Sequence, residues 1–317
     1  MRKISILTLC LTLSTTSALA DSQFNAGNAL DVFEGLFGVT EGKRRNHTKG
    51  YCITGEFIPQ GEAILEFTNS PIFTGVSKVN GRVSHKGGKP NPADDKPALY
   101  GLAFELETEA GDYHIMNMNT EHFFPVANAE DFIKLLKAKI AGAEATKEFA
   151  KNSPELQNYK AYHGGLDKSL RPYEGATYNS VNTFLLVDAD GKETPVRWAF
   201  EPAGEHEIVL EPSESFFLQN IQANLDKGEV AWNMVISLAK DTDDILNPSV
   251  KWAEDNTKIV AAKLKVTGAM AEVEGTCDNV NFDPTVLSTG FALSDDPMLQ
   301  ARAEIYATGI GRRLSEK

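Results

Sequence analysis

Two stretches of the chain combine residue types that can do chemistry with spacings that bring them together. Near the C-terminus, Arg302 and Tyr306 stand four positions apart in Pro297-Met298-Leu299-Gln300-Ala301-Arg302-Ala303-Glu304-Ile305-Tyr306. On a helix that spacing puts both side chains on one face. A guanidinium within a few ångströms of a phenol favours the phenolate, which is a far better iron ligand than the phenol. Near the N-terminus, His47 sits in Arg44-Arg45-Asn46-His47-Thr48-Lys49-Gly50 and leads into Tyr51-Cys52-Ile53-Thr54-Gly55-Glu56-Phe57. Histidine can take up a proton and return it near neutral pH. A lone histidine before a strand is more often a satisfied surface or core residue, so its neighbours decide what it does.

Those neighbours continue in order along the chain: Gly81-Arg82-Val83-Ser84, Tyr100-Gly101-Leu102-Ala103-Phe104, Asn119-Thr120-Glu121-His122-Phe123-Phe124, Phe132, Asn247-Pro248-Ser249-Val250-Lys251-Trp252 and Phe282-Asp283-Pro284. Together they resemble the haem catalases, whose Arg-x-x-His-x-Lys-Gly signature matches Arg44 to Gly50. The family's proximal helix likewise carries an arginine four residues before the iron-binding tyrosine. The resemblance runs from Arg44 to Arg313 and implies a role for each matched position. His47 becomes the distal acid–base residue, Ser84 its orienting partner and Asn119 the distal asparagine. Arg44 and Arg82 face haem propionates, with Arg313 or Arg312 as a further contact, and Phe132 lines the pocket. Arg302 supports Tyr306, the iron ligand.

By the same resemblance the cofactor is haem b. It is held non-covalently, since no Cys-x-x-Cys-His attachment sequence is present. Neutral His47 would take a proton from one oxygen of hydrogen peroxide and return it to the other, which leaves as water. The match lacks the long N-terminal arm and C-terminal domain of full-length catalases and is similar to the small catalase-related peroxidases. A more open pocket is therefore expected, serving a peroxidase that uses a small organic electron donor. The alternatives are a true catalase, an enzyme that rearranges lipid hydroperoxides, and a haem carrier without turnover.

The elements that must position these residues show in the pattern of the chain. Strand-like alternation covers Tyr51 to Phe57, Leu99 to Leu106, Tyr113 to Met118, Thr177 to Val187 and Lys258 to Val266. Asp188-Ala189-Asp190-Gly191-Lys192 has the turn chemistry of a hairpin. Helices are expected at Ala129 to Ala141, with the Ala- and Glu-rich Ala141 to Lys151 continuing as a second helix, and at Pro212 to Leu225. The last helix should be capped by Ser294 or Asp295, start at Pro297 and stop at Gly309. Antiparallel strands with helices in insertions and at the end indicate an α+β fold built on a barrel or sandwich, expected as one domain over residues 21–317. The resemblance implies a catalase-like antiparallel barrel with a haem-ligating C-terminal helix.

Composition narrows the setting. The chain has 317 residues, 42% hydrophobic and 24% charged, with a formal net charge of −13. Nucleic acid and anionic membranes are therefore poor partners, and a monomer or homodimer is expected. Residues 1–20 read as a secretory signal: Arg2 and Lys3, an apolar run from Ile4 to Leu13, and Ala18-Leu19-Ala20 before Asp21. The expected location is the periplasm. Cys10 would leave with the signal. Cys52 and Cys277 could form one disulfide in an oxidising compartment, but the expectation is two buried free thiols. His85, His114, His122, His163 and His206 show no metal-ligand spacing.

Overall fold

The computed structural model describes residues 24–317, so the signal segment and Cys10 lie outside the described residues. Ten strands form one antiparallel sheet: β1 (Gly50–Pro59), β2 (Ser77–His85), β3 (Tyr100–Glu107), β4 (Tyr113–Asn119), β5 (Tyr178–Asn179), β6 (Phe184–Val187), β7 (Glu193–Pro202), β8 (Val230–Leu238), β9 (Lys258–Ala271) and β10 (Phe291–Leu293). Their order is β10-β6-β7-β5-β4-β3-β2-β1-β9-β8, and a further β7–β8 pairing closes eight of them into a barrel. Closure leaves β6 and β10 as an extension at one side and removes the open edges that invite aggregation.

Alternation along the strands fills the barrel. Phe57, Phe104, Phe200 and Trp232 are fully buried, and the Phe104 and Phe200 rings meet edge-to-face at 5.3 Å. Burial of each phenylalanine contributes about 1.5–3 kcal/mol. The opposite parity on β2, β3 and β4 faces outward, towards the helices.

Six α-helices lie among the described residues: α1 (Ala26–Phe37), α2 (Ala129–Ala141), α3 (Ala143–Lys151), α4 (Pro154–Gly164), α5 (Phe217–Lys227) and α6 (Pro297–Ser315). The second helix expected from Ala141 to Lys151 starts after Gly142, whose φ of 110° breaks α2 from α3. α5 starts later than Pro212 because Asp94 Oδ2 accepts hydrogen bonds from the Phe216 and Phe217 amides, at 2.9 Å each. α1 and α4 have no counterpart in the sequence expectations, although Asn25 and Ser153 cap them and Pro154 opens α4.

α6 departs from expectation at both ends. Its cap is Asp296, which accepts from the Met298 amide at 2.9 Å, rather than Ser294 or Asp295. It also runs through Gly309 to Ser315. A mid-helix glycine costs only about 1 kcal/mol, and packing on α1 offsets it: Arg312 reaches Asp31 at 2.7 Å and Glu34 at 2.9 Å. The run from Thr177 to Val187 is not one strand. It breaks at Val181, whose φ is 64°, leaving the short β5 and then β6.

The cysteines overturn the free-thiol expectation. Cys52 on β1 and Cys277 form a disulfide across a Cα–Cα distance of 5.5 Å. The partners are 225 residues apart in sequence; with Cys10 gone they are the one possible pair, but local spacing could not show that the fold brings them within bonding distance. The bridge pins the segment after β9 onto the barrel wall.

Candidate active site

The site is built on two register lines that cross β2, β3 and β4. Ser84 pairs with Gly101, and Gly101 with Asn119. Two residues along, Arg82 pairs with Ala103, and Ala103 with Asn117. Side chains repeat every second residue along a strand, so both lines face the same outer side of the barrel. Facing them is a cavity of about 1380 Å³, counting its open mouth. α1 contributes Leu30 and Phe33, α2 contributes Phe132, and α6 contributes Met298, Arg302, Tyr306 and Arg313. Phe124 and Phe132 meet at 4.8 Å and Phe33 and Phe132 at 5.9 Å, giving the cavity an aromatic wall.

His47 stands on one side of this cavity with a backbone φ of 58°, a left-handed conformation that a non-glycine residue keeps only when its surroundings hold it. Its Nδ1 lies 3.0 Å from Ser84 Oγ. The Ser84 hydroxyl in turn faces the Gly101 carbonyl at 3.4 Å. With that hydroxyl donating to the carbonyl, Nδ1–H donates to Ser84 and the bare Nε2 is the basic atom. Gly101 makes this approach possible: a Cβ there would come within 2.7 Å of the imidazole. Burial pushes the His47 pKa down to about 3, helped by the positive charges of Arg82, Lys86, Arg302 and Arg44. The ring is therefore neutral at physiological pH. Asn119 lines the same side, and its Oδ1 is buried without a hydrogen-bond partner.

Tyr306 stands on the other side. Its Oη accepts a hydrogen bond from Asn117 Nδ2 at 2.6 Å. Arg302 lies with its guanidinium carbon 5.8 Å from the Tyr306 ring centre and donates to Asn182 Oδ1 at 2.6 Å. Asn182 donates in turn to Asp296 Oδ2 at 2.7 Å. Asp296 is fully buried, its pKa raised by burial. It thus caps α6 and, through Asn182, fixes the arginine beside the tyrosine.

A cationic edge joins the two sides. Arg44, Arg82 and Arg313 line the cavity. Arg44 pairs with Asp278 at 2.9 Å and also donates to the carbonyls of Cys277 and Val280. Arg82 pairs with Glu272, and Arg313 with Asp278 at 3.4 Å. Three guanidinium groups therefore face two carboxylates. Burial first, then the like charges of Arg82 and Arg313, pull the Arg44 pKa down to about 9, which marks a place short of negative charge. Arg313 Nε is buried without a partner. Arg312 is turned away onto α1, so of the two neighbouring arginines it is Arg313 that faces the cavity.

An apolar slot with an anion-seeking edge, a phenol on one face and a basic imidazole on the other fits a planar apolar group bearing carboxylates. The two orphaned buried atoms, Arg313 Nε and Asn119 Oδ1, fit the same group and its small co-substrate. Every site residue expected from the sequence lines the cavity. No group of three or more His, Cys, Asp or Glu side chains suited to a metal ion exists among the described residues, and none of their helices is long and apolar enough to cross a membrane.

The sequence matches the catalase family over residues 42–317, and the chain belongs to that family. It is 29% identical over 311 residues to a catalase-related peroxidase of Synechococcus elongatus, covering 94% of this chain and 91% of that protein. A catalase-related peroxidase of Mycolicibacterium paratuberculosis is 27% identical over 295 residues, covering 90% and 93%. Catalase-2 of Bacillus subtilis is 25% identical over 293 residues, covering 82% of this chain but 42% of the longer protein.

Four residues of the site escaped the sequence reading: Gly101, Asn117, Asn182 and Asp296. Gly101 and Asn117 belong to strands that were recognised, and only the cross-strand register gives them meaning. Asn182 and Asp296 are 114 residues apart, and no local pattern links them.

Proposed function

We propose that this protein is a haem b peroxidase that reduces hydrogen peroxide, or an organic hydroperoxide, at the expense of a small organic electron donor. The observation that carries this reading is that neutral His47 and hydrogen-bonded Tyr306 line one cavity with an arginine edge. A bound haem iron would supply the redox chemistry, accepting oxidising equivalents from the peroxide and passing them to the donor. Tyr306 would hold it from one face, while Arg44, Arg82 and Arg313 would hold its propionates.

The protein's own part is positioning and proton transfer. His47 Nε2 takes a proton from one peroxide oxygen and returns it to the other, so that water leaves as the O–O bond breaks. Ser84 keeps the ring in the tautomer that makes Nε2 the base. Asn119, with its unpartnered Oδ1, holds the peroxide by a hydrogen bond. A periplasmic role in peroxide defence goes with this reading, supported by the disulfide, which persists in oxidising compartments.

The test is an optical spectrum of the chain reconstituted with hemin, taken before and after hydrogen peroxide. A ferric tyrosinate spectrum that changes with peroxide and recovers on adding an aromatic donor is expected. Vigorous oxygen release without any donor would replace the peroxidase reading with a catalase one. No Soret band after reconstitution would overturn both.

A further inference from the structure

The residue that touches the phenol oxygen of Tyr306 is not on its own helix. Asn117 lies on β4 and donates through Nδ2 twice, to the Phe282 carbonyl at 2.9 Å and to Tyr306 Oη at 2.6 Å. The carbonyl fixes the orientation of the amide, because a backbone oxygen can only accept; the group facing it must be the NH2. Both amide hydrogens are then committed, and Tyr306 Oη must act as an acceptor. Its lone-pair side is thus engaged by the protein before any ligand arrives.

We propose that Asn117 is a positioning residue for Tyr306: it anchors the phenol oxygen towards the cavity and remains hydrogen-bonded to that oxygen when iron is bound. The proposal rests on the haem reading of the site. Its consequence is electronic as well as steric. A hydrogen bond to a phenolate draws electron density away from the oxygen and makes it a weaker donor to iron. Arg302 acts on the ring from 5.8 Å, with its own hydrogen bond spent on Asn182. The direct contact at the ligating atom belongs to Asn117 alone among the hydrogen bonds described for Tyr306.

The experiment compares the parent with Asn117→Val, Asn117→Ser and Tyr306→Phe, each as the full chain reconstituted with hemin. The readouts are the tyrosinate-to-iron charge-transfer band, the tyrosinate resonance Raman bands and the ferric/ferrous midpoint potential. Asn117→Val is expected to keep the tyrosinate bands, shift the charge-transfer band and move the midpoint negative, since the freed oxygen favours ferric iron. Asn117→Ser retains a hydroxyl donor and should fall between the two. It also serves as the reading should the valine variant fail to fold. A purely structural Asn117 would lower the melting temperature but leave band and midpoint where the parent has them, and that result would overturn the proposal. Tyr306→Phe separates the two levels. If it loses the tyrosinate bands while the Asn117 variants match the parent, only the proposal fails. If it matches the parent spectrum, the ligand assignment itself fails.

Discussion

The imidazole side and the phenol side of the cavity share one strand but are built by opposite means. β4 sends Asn119 to the first and Asn117 to the second, two residues apart. On the imidazole side the backbone does the shaping: His47 sits at positive φ, Gly101 removes a side chain so that the ring can approach, and one hydroxyl fixes the tautomer. On the phenol side a chain of amides and charges does it, from Asp296 through Asn182 to Arg302, with Asn117 on the oxygen. One side withholds charge from its base by burial. The other gives its phenol one amide donor and places a guanidinium beside the ring. The difference teaches that a buried neutral base and a hydrogen-bonded phenol can be given separate environments from neighbouring positions of one strand.

If the two sides are separable, His47→Ala gives the largest effect. Peroxide reactivity should fall about 10²–10⁴-fold, the usual contribution of a positioned acid–base group. Hemin binding and the tyrosinate spectrum should stay at parent values, because they belong to the other side. Stopped-flow measurement of the peroxide reaction and a hemin titration check both halves. A mutant that reacts at the parent rate would remove His47 from the mechanism, and one that loses its haem would couple the two sides.

The edge common to both sides gives the next effect. Replacing Cys52 and Cys277 together by serine removes the bridge that secures the segment holding Arg44, whose guanidinium donates to the Cys277 and Val280 carbonyls. Stability should drop by about 2–4 kcal/mol, the usual range for a native disulfide, with weaker hemin retention. Peroxide reactivity per bound haem should not change. Chemical denaturation and activity normalised to haem content test this, and a loss of normalised activity would mean that the edge tunes the chemistry and does not merely hold the group.

How much of this was legible beforehand follows the same division. The groups that would touch cofactor or substrate stand in short contiguous stretches, so His47, Ser84, Arg302 and Tyr306 could be read directly, as could the barrel strands through their alternation. What supports them could not. Gly101 looks like any strand glycine until the register sets it beside His47. Asn117 and Asn119 are indistinguishable by type, and only the three-dimensional course of α6 gives one of them a phenol. Asp296 rather than Ser294 or Asp295 caps α6, because its carboxylate also meets Asn182, a contact made across 114 residues. The one possible cysteine pair was visible, but not that the fold brings Cys52 and Cys277 within bonding distance. α1, whose Leu30 and Phe33 line the cavity, was not expected from the pattern of the chain.

A smaller effect is expected from Ser84→Ala. The imidazole Nδ1–H would lose its partner, and the ring could turn or exchange tautomers, placing a proton where the base should be. The lost hydrogen bond is worth about 0.5–1.5 kcal/mol, so peroxide reactivity should fall by about two- to tenfold with unchanged hemin affinity. A Ser84→Ala enzyme with full reactivity would mean that the positive φ and Gly101 suffice to orient the ring.

The smallest effect is a near-absence of one, and it discriminates between two causes. An exposed histidine titrates near 6.5, so a solvent-exposed base would halve the peroxide rate constant within the physiological range. His47 is depressed to about 3, which means that its basic form persists as pH falls from 8 to 5 and is lost only as pH approaches 3. The logarithm of kcat/KM for peroxide should therefore run flat from pH 8 to 5. Burial is the largest cause of the depression, and the charge of Lys86 comes after Arg82 among the lesser ones. Lys86→Gln removes one of those charges without opening the pocket, so its profile should also stay flat. An inflection entering the window in Lys86→Gln would show that like charges, and not the dry wall around the imidazole, keep the base neutral, and the imidazole side would then be governed by the same electrostatics as the phenol side.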